Sequence, residues 1–238
     1  MSGEQNARPH QLVLDLPHRP ALGADDFIVS ESNAAADAWI ARWPAWPSHA
    51  LVLVGPHGSG KTHLANVWQL ASNAARIPAR EITGGASGEL AAANPAGITV
   101  EDIDRETVDE RALFHLLNLA REQKFHVLLT ARTPPGSWSI DLPDLRSRVR
   151  SFPVATIDPP DDALLGALLV KLFADRQLPA TPAAVRHLAR HMERSMACAL
   201  ALVERIDDRV WVERREVTRD LARLVLAELS LSPVDGEG

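Results

Sequence analysis

A run of four apolar residues, Leu51-Val52-Leu53-Val54, leads directly into Gly55-Pro56-His57-Gly58-Ser59-Gly60-Lys61-Thr62. The octapeptide matches G-x-x-x-x-G-K-[ST] at every position, and it constrains the fold more than any other stretch of the chain. Its glycines let successive backbone N–H groups turn inward and cradle phosphate oxygens. Lys61 supplies a point charge for the terminal phosphates, and the Thr62 hydroxyl is a ligand for Mg²⁺. A helix starting at Lys61, with His63 in its first turn, points its positive end at the bound anion. The apolar run before the loop is the pattern of a strand buried on both faces.

The surrounding sequence alternates in the same style. Ser32 to Arg42 reads as a helix stopped by Pro44 and Pro47, and a second helix runs from Lys61 to about Ala74. Strands are expected at Ala79–Thr83, Gly97–Val100, His126–Thr130 and Val154–Ile157. Asp109 to Gln123 carries Leu113, Leu116, Leu117 and Ala120 at helical spacing. This alternation predicts an α/β unit, a parallel sheet covered by helices. After Pro159-Pro160 the pattern becomes all-helical: Asp161–Ala174, Thr181–His191, Ser195–Val212 and Thr218–Leu229. Thr181-Pro182 is an N-cap followed by proline at the first helical position. The expected organisation is a flexible N-terminal segment (1–23), an α/β nucleotide-binding subdomain (24–158) and a small helical subdomain (159–238).

Ile98-Thr99-Val100-Glu101-Asp102 has the form of a Walker B strand. Glu101 is placed to hold the Mg²⁺ shell and Asp102 to orient an attacking water. The net charge of −6 argues against a protein whose main task is to hold DNA by its phosphates. The single cysteine, Cys198, excludes a disulfide within the chain. No run approaches the ~20 apolar residues of a membrane helix, so a cytoplasmic location is expected.

Taken in order, these residues resemble the AAA+ ATPases, and within them the DnaA-like branch with its short, Hda-type members. The resemblance runs from about Gln11 to Leu229. Phe27-Ile28-Val29, followed by Ser32-Asn33, resembles the segment that packs on adenine in that branch. Thr130 stands where the family places its sensor 1 residue. Leu145-Arg146-Ser147-Arg148 resembles the box carrying the arginine finger, which makes Arg148 the candidate. Arg194 resembles the sensor 2 arginine of the helical lid. The branch usually carries two aspartates in Walker B, whereas Glu101 takes the first place here. Its longer side chain shifts the carboxylate, which implies weak or no intrinsic ATPase but leaves ADP binding intact.

Gln11-Leu12-Val13-Leu14-Asp15-Leu16 resembles the motif by which proteins dock on the sliding clamp of DNA polymerase III. Gln11 would bond at the pocket rim while Leu12, Leu14 and Leu16 supply apolar contact. The resemblance implies a negative regulator of replication initiation. It would bind ADP or ATP with Mg²⁺, dock on the clamp, and stimulate hydrolysis of DnaA-bound ATP through Arg148. DnaA, the clamp and further copies of this chain are the implied partners, with no site-specific DNA binding and no membrane. Two other readings stay open. One is a stand-alone AAA+ ATPase or loader driven by its own turnover, and the other is a DnaA-like adaptor that does not promote hydrolysis.

Overall fold

The structure, a computed structural model, describes residues 27–93, 96–105, 107–213 and 216–231. The candidate clamp residues Gln11, Leu12, Leu14 and Leu16 lie outside them. Helix α1 (Ala34–Ala41) leads to strand β1 (Ala50–Val54), the phosphate loop and helix α2 (Lys61–Ser72). Then follow β2 (Ala75–Pro78), α3 (Gly84–Ala92), β3 (Gly97–Glu101), α4 (Glu110–Gln123), β4 (His126–Ala131), α5 (Pro143–Ser151) and β5 (Val154–Thr156). The strands form one five-stranded sheet in the order β2-β3-β4-β1-β5. Every pairing is parallel, with Val54 opposite Ala131 and Val52 opposite Val154. β1 lies between β4 and β5 and is wholly buried, as its unbroken apolar run predicts.

Two apolar layers cover the sheet. Val52, Val54, Ile98, Val100 and Leu129 face a core completed by Leu113, Leu116, Leu117 and Leu145. Leu51, Leu53 and Leu128 face the other, completed by Leu64, Ala65 and Trp68 of α2. The alternation is the period-2 geometry of strands meeting the helical stripe of their crossovers. Asp109 starts α4 by accepting from the backbone N–H groups of Arg111 and Ala112, both at 3.0 Å.

Two expectations shift. The second strand is Ala75–Pro78, and Ala79–Glu81 of the expected strand instead forms a 3₁₀ turn. The cause is the earlier end of α2, where Asn73 takes a left-handed conformation (φ 52°) and turns the chain into the sheet at Ala75. Helices α3 and α5 have no counterpart in the sequence reading. α3 is rich in glycine and alanine, and its packing against α4 supplies what its weak amphipathicity does not.

Trp68 is fully buried and stacks on Trp46 with centroids 5.3 Å apart. Its ring also leaves no room at Gly97, where an added Cβ would lie 2.5 Å from Trp68 Cη2 and 3.2 Å from the His126 carbonyl oxygen. Gly97→Ala is therefore expected to destabilise the fold by about 1–3 kcal/mol, the cost of overpacking a tight core. A denaturant midpoint unchanged from the parent would refute this.

The remaining chain is helical: α6 (Asp162–Asp175), α7 (Pro182–His191), α8 (Met196–Glu213) and α9 (Arg219–Leu231). These helices close a separate core of Leu165, Leu169, Phe173, Leu188, Leu202, Val203, Ile206 and Val225. Asp161 caps α6 by accepting from Leu164 N at 2.7 Å, and Thr181 caps α7 by accepting from Ala184 N at 3.2 Å. Among the described residues, no helix is long and apolar enough to cross a membrane.

Candidate nucleotide site

The phosphate loop lies where β1 ends, between strands whose connections run to opposite edges of the sheet. That is the expected position of a ligand crevice in an open α/β sheet. Gly58 and Gly60 have φ of 66° and 99°, conformations that side chains resist. Both also abut the helical subdomain. A Cβ at Gly58 would lie 2.6 Å from Ser195 Cβ, and one at Gly60 would lie 3.1 Å from Met196 Sδ. Met196 N donates to the Gly58 carbonyl at 2.7 Å. The helical subdomain is thus hydrogen-bonded to the loop itself.

Loop and helices enclose a cavity of about 440 Å³, within the usual range for a small-molecule site. Its wall includes Gly58, Ser59, Gly60, Lys61, Thr62 and His63. Lys61 is 8% exposed, and its Nζ donates to the carbonyls of Gly55 and Pro56 at 2.8 Å each. Burial pushes the ammonium below its ordinary lysine pKa, while the negative charge of Asp102 opposes that shift. Ser59 Oγ is buried without a hydrogen-bond partner. Among the buried side-chain polar atoms of the described residues in that condition, it alone belongs to a residue of the cavity wall. Inward glycines, an amino group poised on loop carbonyls and an orphaned hydroxyl together fit phosphate oxygens.

Phe27 and Ile28 also line the wall, and the Phe27 ring meets His63 edge-on at 5.2 Å. Asn33 holds this segment, donating to the Ile28 carbonyl at 2.9 Å and accepting from Ser30 N at 2.8 Å. Leu164, Leu168, Leu172 and Leu200 supply the apolar surface from the helices. Val29 does not join them, since the extended chain turns its side chain outward and leaves it 52% exposed.

Thr130 and Asp102 both reach the cavity. Thr130 is 3% exposed, and its Oγ1 accepts from Asp102 N at 3.1 Å, which helps to hold Asp102 in a left-handed conformation (φ 55°). Glu101 behaves differently. Its carboxylate is ion-paired with Arg76 at 3.5 Å, Arg76 also bonds Asn66 of α2, and Glu101 is not part of the cavity wall. The oxygen donors of Thr62 and Asp102 suit Mg²⁺, which takes few protein ligands and relies on the nucleotide's own phosphates. Glu101 joins that set only by leaving Arg76. Among the described residues, no cluster of three or more His, Cys, Asp or Glu side chains forms a metal site of its own.

Arg194 does not line the cavity. Its guanidinium donates to Asp162 Oδ1 at 2.7 Å and to the Pro160 carbonyl at 3.3 Å, because the start of α6 offers an acid within reach. The helices instead present Lys171, Asp175, Met196 and Ala197. The sequence reading also missed His57 and Arg132, which line the core side of the cavity. Arg132 directly follows an apolar strand, two residues after Thr130, and that placement was the available signal.

Arg148 lies elsewhere. It sits on α5, just before β5, with its guanidinium 4.5 Å from the Phe114 ring centroid and bonded to Asn118 of α4. Its charge acts on His49, which precedes β1, and Arg121 near the end of α4 acts on it in turn. These groups mark the N-terminal edge of the sheet, while the phosphate loop is at the C-terminal edge. The length of β1, about 16 Å for five residues, separates Arg148 from its own chain's cavity.

Solved structures share this architecture. Domain III of the Thermotoga maritima replication initiation protein DnaA matches with a TM-score of 0.75 at 17% identity, over 90% of this chain and 98% of that one. The Thermotoga maritima RuvB Holliday junction branch migration motor matches with a TM-score of 0.70 at 20% identity, over 88% and 72%. A replication initiator DnaA bound to AMPPCP and single-stranded DNA matches with a TM-score of 0.64 at 15% identity, over 83% and 69%. No protein-family model matches the chain. Likeness at these identities is likeness of fold, and the fold of this chain is that of the AAA+ proteins, a parallel α/β P-loop core carrying a helical lid.

Proposed function

We propose that the chain is a nucleotide-binding regulator of replication initiation that acts on a second AAA+ protein more than through turnover of its own. ADP or ATP occupies the cavity between core and lid, held by the loop backbone, Lys61 and Thr62, with the base against Phe27 and Ile28. Mg²⁺ bound beside Thr62 and Asp102 would neutralise phosphate charge. The Arg76–Glu101 pair supports weak intrinsic hydrolysis, since it occupies a carboxylate that the Walker B pattern reserves for the metal.

One observation carries the reading of action on a partner: the displacement of Arg148 from its own cavity. A guanidinium at the opposite edge of the sheet cannot stabilise phosphoryl charge in the same subunit. It is half-exposed, and Asn118 and Phe114 hold it in place. Set against the nucleotide site of ATP-bound DnaA, it stabilises charge that develops during hydrolysis. Gln11, Leu12, Leu14 and Leu16 tether the chain to the DNA-loaded sliding clamp and raise its local concentration there. The cytoplasm is the compartment this reading requires.

The test follows hydrolysis of labelled ATP preloaded on DnaA, with the chain added in the presence and absence of DNA-loaded clamp. Clamp-dependent stimulation is expected, with a Gln11→Ala/Leu14→Ala double variant losing the clamp dependence. No stimulation under any condition would refute the regulatory reading.

A further inference from the structure

A second pocket opens at the N-terminal edge of the sheet, at the other end of the strands from the nucleotide cavity. Its volume is about 300 Å³, and its wall includes Trp46, His49, Arg121, Lys124, Phe125 and His126. The topology assembles it. His49 directly precedes β1 and His126 opens β4, and Val127 N donates to the His49 carbonyl at 2.8 Å. α4 ends just before β4, which brings Arg121 and Lys124 to the same edge. The Trp46 ring meets His126 edge-on at 5.5 Å, and the Phe152 ring meets His49 edge-on at 5.3 Å.

The cations of this pocket lack an opposite charge. No carboxylate lines it. Arg121 and Lys124 are exposed, and among the described residues neither is ion-paired. His49 Nε2 is buried with no hydrogen-bond partner among the described residues, a costly state for a ring nitrogen. Burial, and then the positive charges of Arg148, Arg121 and His126, push His49 below the ordinary histidine pKa, and no carboxylate opposes them. Burial and the Arg121 charge act in the same sense on Arg148, where Asp144 of α5 opposes them. The carbonyl end of α4 is a partial negative neighbour for Arg121 and Lys124. Lys124 N and Phe125 N both donate to the Ala120 carbonyl there, and His49 Nε2 gains no bond from it.

We propose that this pocket is a carboxylate socket, which receives an aspartate or glutamate side chain of the second AAA+ protein and so docks the edge that carries Arg148. The inference rests on the reading that Arg148 addresses a partner, and it adds the contact that sets the register. The planar Arg121 guanidinium matches two carboxylate oxygens with parallel N–H groups. His49, with its proton on Nε2, donates to the same group and gains the partner it lacks. A paired charge of this kind orients two surfaces and speeds their encounter, which leaves Arg148 free for the phosphoryl group.

The experiment uses the full chain with DnaA carrying labelled ATP and with DNA-loaded clamp. It measures association by fluorescence anisotropy and follows hydrolysis as the chain concentration is raised. In an Arg121→Gln/Lys124→Gln double variant, association is expected to weaken about tenfold while the maximal stimulated rate stays within about twofold. An Arg121→Lys/Lys124→Arg double variant keeps both charges and should associate nearly as the parent does. Arg148→Ala should show the reverse split, a large loss of rate with little loss of association. Pairing with a carboxylate favours the charged imidazole, so parent association should tighten as pH falls from about 8 to about 6, and less so in His49→Gln. Unchanged association in the Gln double variant, equal loss in the charge-conserving one, or the same pH response in His49→Gln overturns the socket while the Arg148 reading stands. A parent chain that neither associates with DnaA nor stimulates hydrolysis overturns both.

Discussion

Arg148→Ala is expected to lower the stimulated hydrolysis of DnaA-bound ATP by about 10³-fold, the range in which a supplied arginine finger acts. The side chain it removes contacts the Phe114 ring and is bonded to Asn118. A partly exposed cation–π contact is worth only about 0.5–1 kcal/mol, so the fold should survive the substitution. Burial and the nearby Arg121 charge push the Arg148 guanidinium somewhat below its ordinary pKa. It remains a cation at any working pH, because an arginine starts so high. Arg150 provides the control: its guanidinium is tied to the Gly136 carbonyl at 3.1 Å, and Arg150→Ala should keep most of the stimulation. Nucleotide binding by Arg148→Ala itself should equal that of the parent, since the cavity lies about a strand's length away. Full stimulation by Arg148→Ala would favour an adaptor that recruits a partner without completing its active site.

Lys61→Ala is expected to weaken binding of both ADP and ATP by about 100-fold, corresponding to ~3 kcal/mol for a charge-assisted contact in a desolvated pocket. The Lys61 ammonium already costs desolvation energy, and in the free protein it is compensated by two carbonyls and the field of Asp102. A bound phosphate replaces neutral acceptors with a full negative charge, so the contact strengthens on binding. Without Lys61 the glycine amides and the helix terminus remain, and they explain why some affinity should persist. Equilibrium titration of labelled nucleotide checks the result, with circular dichroism as the control for folding. An undiminished affinity would show that the cavity does not use its phosphate loop.

Much of the fold was legible because its signals are local. The run Leu51 to Val54 and the glycine pattern after it specify a buried strand and a phosphate turn with no help from the rest of the chain. Asp109, Asp161 and Thr181 announce helix starts through hydrogen bonds spanning no more than three residues. The change of pattern after Pro159-Pro160 likewise marks where helices replace the strand–helix alternation. α3 escaped notice because the stretch Gly84 to Ala92 carries little periodicity and gains its stability by leaning on α4.

The candidate site divides along the same line. Lys61, Thr62, Asp102, Thr130 and Phe27 are brought to one cavity from segments that the sequence already singled out. Glu101, Val29 and Arg194 were singled out by the same reasoning, and the cavity does not include them. The difference comes from partners distant in the chain: Arg76 takes Glu101, and Asp162 takes Arg194. Arg132 shows the converse, a residue with no motif around it that gains its place from the pairing of β4 with β1 and from Asp104, whose carboxylate accepts from the backbone N–H groups of Arg132 and Thr133.

By itself, then, the sequence determined most of the elements and the phosphate turn, though not α3, α5 or the place of β2, because hydrophobic period, glycine conformation and helix capping act over a few neighbouring residues. Only the tertiary structure decided which charged side chains face the nucleotide cavity and which are spent on one another. A carboxylate or guanidinium pairs with whatever opposite charge lies within a few ångströms, and that neighbour is chosen by sheet order and helix packing, across separations in the chain that no local pattern records.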